Sequence, residues 1–305
     1  MSACIEIVGL GAPATVQDGG RPGVMHHGVP PGGAWVPELL AAANRAVGNA
    51  PGAAALESFG RLELRARGRD VRVSVDGEAP SVLADGATLS VPAPTQHAVR
   101  YVAVDGALAV PEVLGGQGTL WVARLGGWEG RPLRTGDRLP LGPPGTAPSP
   151  ADLSRLTEAL DPAAPLRVLL GPDASRFSDA AVALLLGSTF TVSPSSDRVG
   201  QRLDGPPVPH GDEGGGTCRP MVRGAIQVTL SGTPIVMGPD HPTTGGYPLI
   251  AAVIRADWGR LGARRPGAPV RFEAVTLEVA RDAWRTHPAR PPGATSDPAR
   301  PILGA

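Results

Sequence analysis

Along the first half of the chain, apolar and polar residues alternate with a period of two. The runs are Ile5-Glu6-Ile7-Val8, Arg61-Leu62-Glu63-Leu64-Arg65, Val71-Arg72-Val73-Ser74-Val75 and Tyr101-Val102-Ala103-Val104. Each is closed by Gly, Pro or an Asp-Gly pair, so the pattern predicts strands with one wet face. Asp76-Gly77, Asp85-Gly86 and Asp105-Gly106 recur at the short spacing of tight turns in a barrel or sandwich. A helical stripe interrupts them at Glu38–Val47, where Leu39, Leu40, Ala43 and Val47 share one side, Pro37 suits the first turn and Gly48-Asn49 stops the helix. Seven prolines lie from Pro140 to Pro165 around a short helical segment, Asp152–Leu160, and mark a linker.

The second half returns to short strands at Leu166–Leu170, Phe190–Val192, Ala225–Leu230, Pro234–Met237, Val270–Phe272 and Thr276–Val279, with a helix at Asp179–Leu186. This predicts a mainly β chain with a few short helices, organised as a β-rich lobe over residues 1–145, a Pro-rich linker over 146–165, a second β lobe over 166–286 and a disordered tail over 287–305.

Composition supports a folded, turn-dense chain. Of 305 residues, 42 are Gly and 35 Pro, yet 42% are hydrophobic and only 18% charged, which does not describe a disordered polyelectrolyte. The 28 basic residues balance 28 acidic ones, so neither nucleic acid nor an anionic membrane surface is an indicated partner. All the basic residues are Arg. A lysine-bearing phosphate loop, a Schiff-base lysine and a lysine general base are therefore excluded in this chain, and ATP chemistry would need Arg, backbone amides or another subunit. Cys4 and Cys218 are too few for a disulfide framework, the start lacks the pattern of a secretory signal, and no apolar stretch is long enough to span a bilayer. The expected location is the cytoplasm.

Three polar clusters carry candidate chemistry. In Thr15–Gly23, small residues allow close backbone approach while Gln17, Asp18 and Arg21 supply donors and an acceptor; the same residues would also form an Asp-Gly turn with a solvated Arg. Asp240-His241-Pro242-Thr243-Thr244-Gly245-Gly246-Tyr247-Pro248 follows an apolar strand and suits an anion or carbonyl site made of hydroxyls and backbone donors. In Ser195–Leu203, Asp197 with Arg198 and Arg202 fits either an internal ion pair or recognition of a substrate carboxylate. Asn44, Asn49 and Glu57 flank the first helix, and Gln227 reads as an edge-strand residue. The six histidines are scattered without ligand spacing, so no metal site is expected, and no GxSxG, HExxH or GxGxxG pattern occurs.

These clusters, in this order, resemble a known family. Thr15-Val16-Gln17-Asp18 with Gly20–Gly23, Gly28-Val29-Pro30, Ala43-Asn44, Val47-Gly48-Asn49 and Ala55-Leu56-Glu57 are similar to the start of the biotin-dependent carboxyltransferase family, also called allophanate hydrolase subunit 2, which includes KipA and component C of 5-oxoprolinase. Ser196–Leu203, Gly224–Val228, Pro234–Val236 and Asp240–Pro248 continue the resemblance. The chain departs from the family at Val36, Gly116, Gly118, Cys218 and Ala263, where relatives usually carry polar side chains.

The resemblance implies two β lobes of cyclophilin-like barrel character. It also implies component C of an ATP-dependent 5-oxoprolinase that opens 5-oxo-L-proline to L-glutamate beside a subunit-1 (KipI-like) partner and a LamB/YcsF-type subunit. One alternative is a urea-carboxylase-like carboxyltransferase component taking carboxybiotin from a separate carrier; another is a non-catalytic regulator that antagonises a kinase inhibitor, as KipA does. No cofactor is assigned to this chain itself, and ATP enters through the complex. The substrate class is a small amide or lactam. The resemblance gives Gln17, Arg21, Thr243 and Thr244 catalytic roles as donors to a developing oxyanion, and gives Asp18, Asn44, Glu57, Asp197, Arg198, Gln227, Asp240, Gly245, Gly246 and Tyr247 roles in substrate binding. The expected site lies where the Gln17–Arg21 and Thr243–Tyr247 loops meet.

Overall fold

The computed structural model describes residues 3–144, 147, 153–211 and 218–290 of a mainly β chain with short helices. It divides into two compact units, one drawn from Met1–Pro22 and Gly32–Glu158, the other from Gly23–Pro31 and Ala159–Ala305.

The first unit packs two antiparallel sheets around one core. One sheet runs Thr88–Val91, Leu62–Arg67, Cys4–Leu10, Arg138–Pro140; the other runs Ala14–Gln17, Ala55–Ser58, Arg100–Val104, Val71–Val75, Ser81–Leu83. Ile5, Ile7, Leu62 and Leu64 of the first meet Val16, Leu56, Val73, Val102 and Val104 of the second. Burying each such side chain contributes about 1.5–3 kcal/mol. Along Leu62–Arg67 every second residue is buried and the others are half-exposed, as the alternation predicts. Arg100–Val104 differs from the one-wet-face reading, for Tyr101–Val104 are buried on both faces because the Pro37–Val47 helix covers the outer side of that sheet. That helix stops at Gly48 (φ 84°), where glycine takes the left-handed conformation without a Cβ clash. Asp76 (φ 54°) and Gly77 (φ 92°) form the two-residue turn with positive φ at both positions that matches strand twist.

The second unit is built on one eight-stranded sheet, in the order Pro269–Val270, Phe190–Val192, Gly200–Asp204, Pro234–Met237, Ala225–Val228, Leu249–Val253, Leu166–Leu170, Phe272–Ala274. Its two edge strands are separated in the chain by Arg271 alone, so the sheet must curl until its edges nearly meet, which makes a nearly closed barrel. Leu166, Val168, Phe190, Val192, Ile226, Val228, Val236, Ile250 and Phe272 fill it.

Several expectations are corrected here. Val270–Phe272 is not one strand but is broken at Arg271 into the two edges. Thr276–Val279 is not a strand: the Thr276 hydroxyl accepts from the Val279 amide and caps a helix over Leu277–Arg285. Gln227 does not lie on an edge, since its strand is paired on both sides. Within the expected linker, the short helix read from the sequence is present. A helix spans Leu153–Ala159, and three arginines hold the carbonyls that follow it: Arg264 reaches Pro162 and Ala164, Arg271 reaches Ala163, and Arg260 reaches Pro165. The carbonyls of this proline-containing stretch are thus satisfied by side-chain donors. Of the expected tail, residues 287–290 form a turn with His287 stacked on Trp284, and 291–305 lie outside the described residues, as do residue 145 of the expected first lobe and 146 and 148–152 of the expected linker.

Candidate functional site

The candidate residues fall into both units, and each set is described within its own. In the first unit, Thr15 and Gln17 are not in a loop but on the Ala14–Gln17 strand, all four of whose residues are buried. The reason is its pairing with Ala55–Ser58, which places Gln17 opposite Ala55. The Gln17 amide donates to the Thr15 hydroxyl (3.1 Å) and the Thr119 carbonyl (3.0 Å). Asp18 accepts from the backbone N–H of Gly20 (2.9 Å) and Gln117 (2.5 Å). Arg21, for which the sequence allows a solvated place in a turn, is 1% exposed and donates from Nε to the Val113 carbonyl (2.9 Å) and from Nη2 to the Gly118 carbonyl (2.5 Å). The charge is thus folded inward onto the 113–119 loop.

At two positions where the resemblance leads one to expect a serine, the structure leaves no room for one. A Cβ on Gly118 would sit 2.7 Å from Asp18 Oδ1 and 2.8 Å from Gln17 Oε1, and one on Gly116 would sit 2.6 Å from Arg21 Cγ. In this chain the space of a serine at either position is taken by the side chains of the Gln17–Arg21 segment.

Asn44 and Glu57 are likewise engaged by their own fold. The Asn44 amide donates to the Ala53 carbonyl (2.8 Å) while its oxygen accepts from the Asn49 amide (3.0 Å). Glu57, fully buried, accepts from the Trp35 N–H (2.8 Å) and from the Tyr101 hydroxyl.

In the second unit, Asp197 accepts from the backbone N–H of Val199 (2.9 Å) and Gly200 (3.1 Å), a local turn. Arg198 forms a two-pronged pair with Asp240, Nε to Oδ2 at 2.7 Å and Nη2 to Oδ1 at 2.9 Å; of the two readings of this arginine, the internal ion pair is the one observed. The pair fixes the start of the Asp240–Pro248 segment.

That segment is then held mainly through its backbone. The Thr243 carbonyl accepts from the Met221 N–H (2.9 Å), Thr244 and Gly245 pair with Pro220 and Arg219 in a two-stranded ladder, and the Tyr247 carbonyl accepts from the Gln227 amide (3.1 Å). A Cβ on Gly245 would lie 2.5 Å from the Met221 methyl and 2.7 Å from Gln227 Nε2, so only glycine lets Gln227 reach the loop. The result is a rigid frame with exposed side chains: Thr244 is exposed and Tyr247 is 44% exposed.

Sequence reasoning passes over three residues near this loop. His241 is fully buried, its Nδ1–H donating to the Pro242 carbonyl (2.8 Å); burial pulls the imidazole below the usual histidine range, and the Arg223 charge adds to that. Its place inside the cluster is the available signal. Asp173 and Arg219 form an ion pair at 2.9 Å, and nothing local in the sequence announces it. Among the described residues, no three His, Cys, Asp or Glu side chains gather as a metal-binding set, and no helix is long and apolar enough to cross a membrane.

Known proteins resemble this chain in sequence and in fold. The family model of the carboxyltransferase domain, subdomain A and B, matches residues 27–274. The chain is 34% identical over 312 residues to component C of the 5-oxoprolinase of Escherichia coli (strain K12), covering 93% of this chain and 99% of the relative, and 30% identical to the corresponding 5-oxoprolinase component of Haemophilus influenzae, covering 90% and 93%. Among solved structures, the K. lactis urea amidolyase superposes with a TM-score of 0.83 at 26% identity over 92% of this chain, which spans 19% of that larger protein.

Proposed function

Because the chain belongs to the carboxyltransferase domain family, subdomain A and B, we propose that it is one component of an ATP-dependent 5-oxoprolinase that opens 5-oxo-L-proline to L-glutamate together with a KipI-like subunit and a LamB/YcsF-type subunit. The observation that carries this reading is the 34% identity to a 5-oxoprolinase component across 99% of that relative.

The chemistry required is charge stabilisation at an amide carbonyl. As a lactam carbonyl is activated or attacked, negative charge develops on its oxygen, and fixed donors that already face that position cost no reorganisation. The Thr243–Tyr247 loop supports this role, since its backbone is locked while its hydroxyl-bearing side chains stay accessible. We assign Thr243, Thr244 and Tyr247 as donors toward substrate, with Gly245, Gly246 and Gln227 shaping the loop. The buried Arg198–Asp240 pair orients its entry. Gln17, Asp18, Arg21, Asn44 and Glu57 act in this reading as the frame that fixes the first unit's strands and the 113–119 loop.

A second reading, a carboxyltransferase component that accepts the carboxyl group of carboxybiotin, is favoured by the family itself and by the superposition on urea amidolyase. The chain has no lysine to carry biotin, so the carrier would be a separate protein.

Co-expression with the two companion subunits tests both readings. ATP-dependent release of glutamate from 5-oxoproline is the expected result. Absence of that release, together with ATP- and bicarbonate-dependent carboxylation of urea when a biotin carboxylase and a biotinylated carrier are supplied, would replace the first reading by the second.

A further inference from the structure

The Thr243–Tyr247 loop is fixed at its far end and through its partner strand by the same carboxylate. Asp173 follows the Leu166–Leu170 strand and is 2% exposed. Its backbone N–H donates to the Leu249 carbonyl (3.2 Å), and its Oδ2 accepts from the Leu249 N–H (3.0 Å), so both backbone groups of the residue where the loop re-enters the barrel are held by one side. Gly171 makes the approach possible, since a Cβ there would stand 2.3 Å from the Leu249 carbonyl oxygen. The other carboxylate oxygen, Oδ1, is 2.9 Å from Nη2 of Arg219, with Arg176 further off at 3.9 Å. Arg219 lies opposite Gly245, Pro220 lies opposite Thr244, and the next residue, Met221, donates to the Thr243 carbonyl.

One oxygen of Asp173 therefore anchors the loop's exit while the other anchors the strand that sets the register of its middle. The Leu249 N–H gives Oδ2 a directional hydrogen bond, whereas Arg219 holds Oδ1 as a close ion pair without hydrogen-bond geometry, and losing either partner leaves polarity or charge unpaired in the interior. We propose that Asp173 is a positioning residue of the reaction: through Leu249 and Arg219 it sets where the Thr244 hydroxyl stands, without touching substrate itself. This rests on the assignment of Thr244 as a donor.

Asp173→Asn tests it, since the amide keeps an acceptor for the Leu249 N–H and removes the charge opposite Arg219. In the full chain, amide hydrogen exchange over residues 244–249 is expected to speed up on the order of tenfold. In the assembled complex, kcat is expected to fall by about the same factor with KM little changed, as for displacement of a transition-state donor. The double variant Asp173→Asn/Thr244→Ala should be no slower than Thr244→Ala alone, because a residue acting through Thr244 has nothing left to position. Arg219→Gln, at a side chain 42% exposed, serves if Asp173→Asn does not fold, and should loosen residues 244–245 while leaving Leu249 protected. Unchanged exchange in the variants, or losses in kcat that add fully to that of Thr244→Ala, would overturn the proposal. A wild-type complex without oxoprolinase activity would instead remove the functional reading, and the exchange experiment would still decide whether Asp173 holds the loop.

Discussion

Two segments of this chain carry the same sequence signature, glycines interleaved with hydrogen-bonding side chains, and the fold uses them in opposite ways. In Gln17–Arg21 the side chains turn inward and bind the backbone of the 113–119 loop. In Thr243–Tyr247 the backbone is held, by Met221, by the Arg219-Pro220 strand and by Gln227, and side chains are left outside. Glycine serves close approach in both cases. At Gly116 and Gly118 it admits the protein's own Arg21, Asp18 and Gln17; at Gly245 it admits Gln227 beneath the loop. The signature therefore reports that something must come close to the backbone, and burial decides whether that partner is internal. Side chains that lock a fold are missed as stability when removed, whereas side chains displayed on a locked backbone are missed as chemistry.

The largest effect expected from this contrast is at Arg21. Arg21→Met removes the charge-assisted hydrogen bonds to the Val113 and Gly118 carbonyls, leaving Val113 with only the Gly116 N–H (3.3 Å), with a loss of stability on the order of 3 kcal/mol. Arg21→Lys should recover little, because one ammonium cannot reproduce a fork that reaches two carbonyls from Nε and Nη2. Urea denaturation of the purified chain measures both, and a loss below about 1 kcal/mol for Arg21→Met would break the contrast from the first side.

The opposite behaviour is expected at Thr244. Its hydroxyl is exposed and its backbone pairing with Pro220 does not need a side chain, so Thr244→Ala should leave unfolding within about 0.5 kcal/mol of wild type. Turnover of the assembled complex should fall on the order of 10²-fold, the usual consequence of losing one donor to a developing oxyanion. A Thr244→Ala chain that is destabilised yet fully active would invert the comparison.

The same contrast explains what is legible in the sequence. Leu62–Arg67 can be read because one face is wet, and alternation survives wherever one face is wet; Val71–Val75 keeps its apolar–polar alternation although Ser74 is buried. Leu249–Val253 has four of its five residues buried and no alternation, while Gly200–Asp204 reads as chemistry rather than as the strand it is. Thr276–Val279 looks like a strand because a capping threonine followed by Leu, Glu and Val mimics alternation over four residues. For the site, local composition points to Thr243–Tyr247. The burial of Arg21 cannot be read, since its acceptors lie 92 and 97 residues away, nor can the role of Asp173, whose partner amide is 76 residues on. Charged side chains are read as solvated by default, and only long-range pairing overturns that default.

The smallest effect separates the two segments by pH. The Gln17–Arg21 segment holds no histidine, while the Thr243–Tyr247 segment is preceded by His241, fully buried, with Asp240 engaged by Arg198 on one side and the Arg223 charge nearby. Burial holds the folded imidazole below 6.5, the ordinary value that it regains on unfolding, so the unfolded state binds the extra proton first as pH falls. The stability that neutral His241 contributes is thus present above about pH 6.5 and lost progressively below it. Between pH 7.5 and pH 5.5, amide exchange corrected for its intrinsic pH dependence should accelerate a few-fold over residues 240–247, a local opening worth about 1 kcal/mol or less, and stay constant over residues 15–21. His241→Gln, which keeps a donor for the Pro242 carbonyl and cannot titrate, should flatten the pH dependence of residues 240–247. If both segments loosen together, or if the variant keeps the wild-type profile, acid sensitivity belongs to some other group and the buried imidazole is not what distinguishes the displayed loop from the locked one.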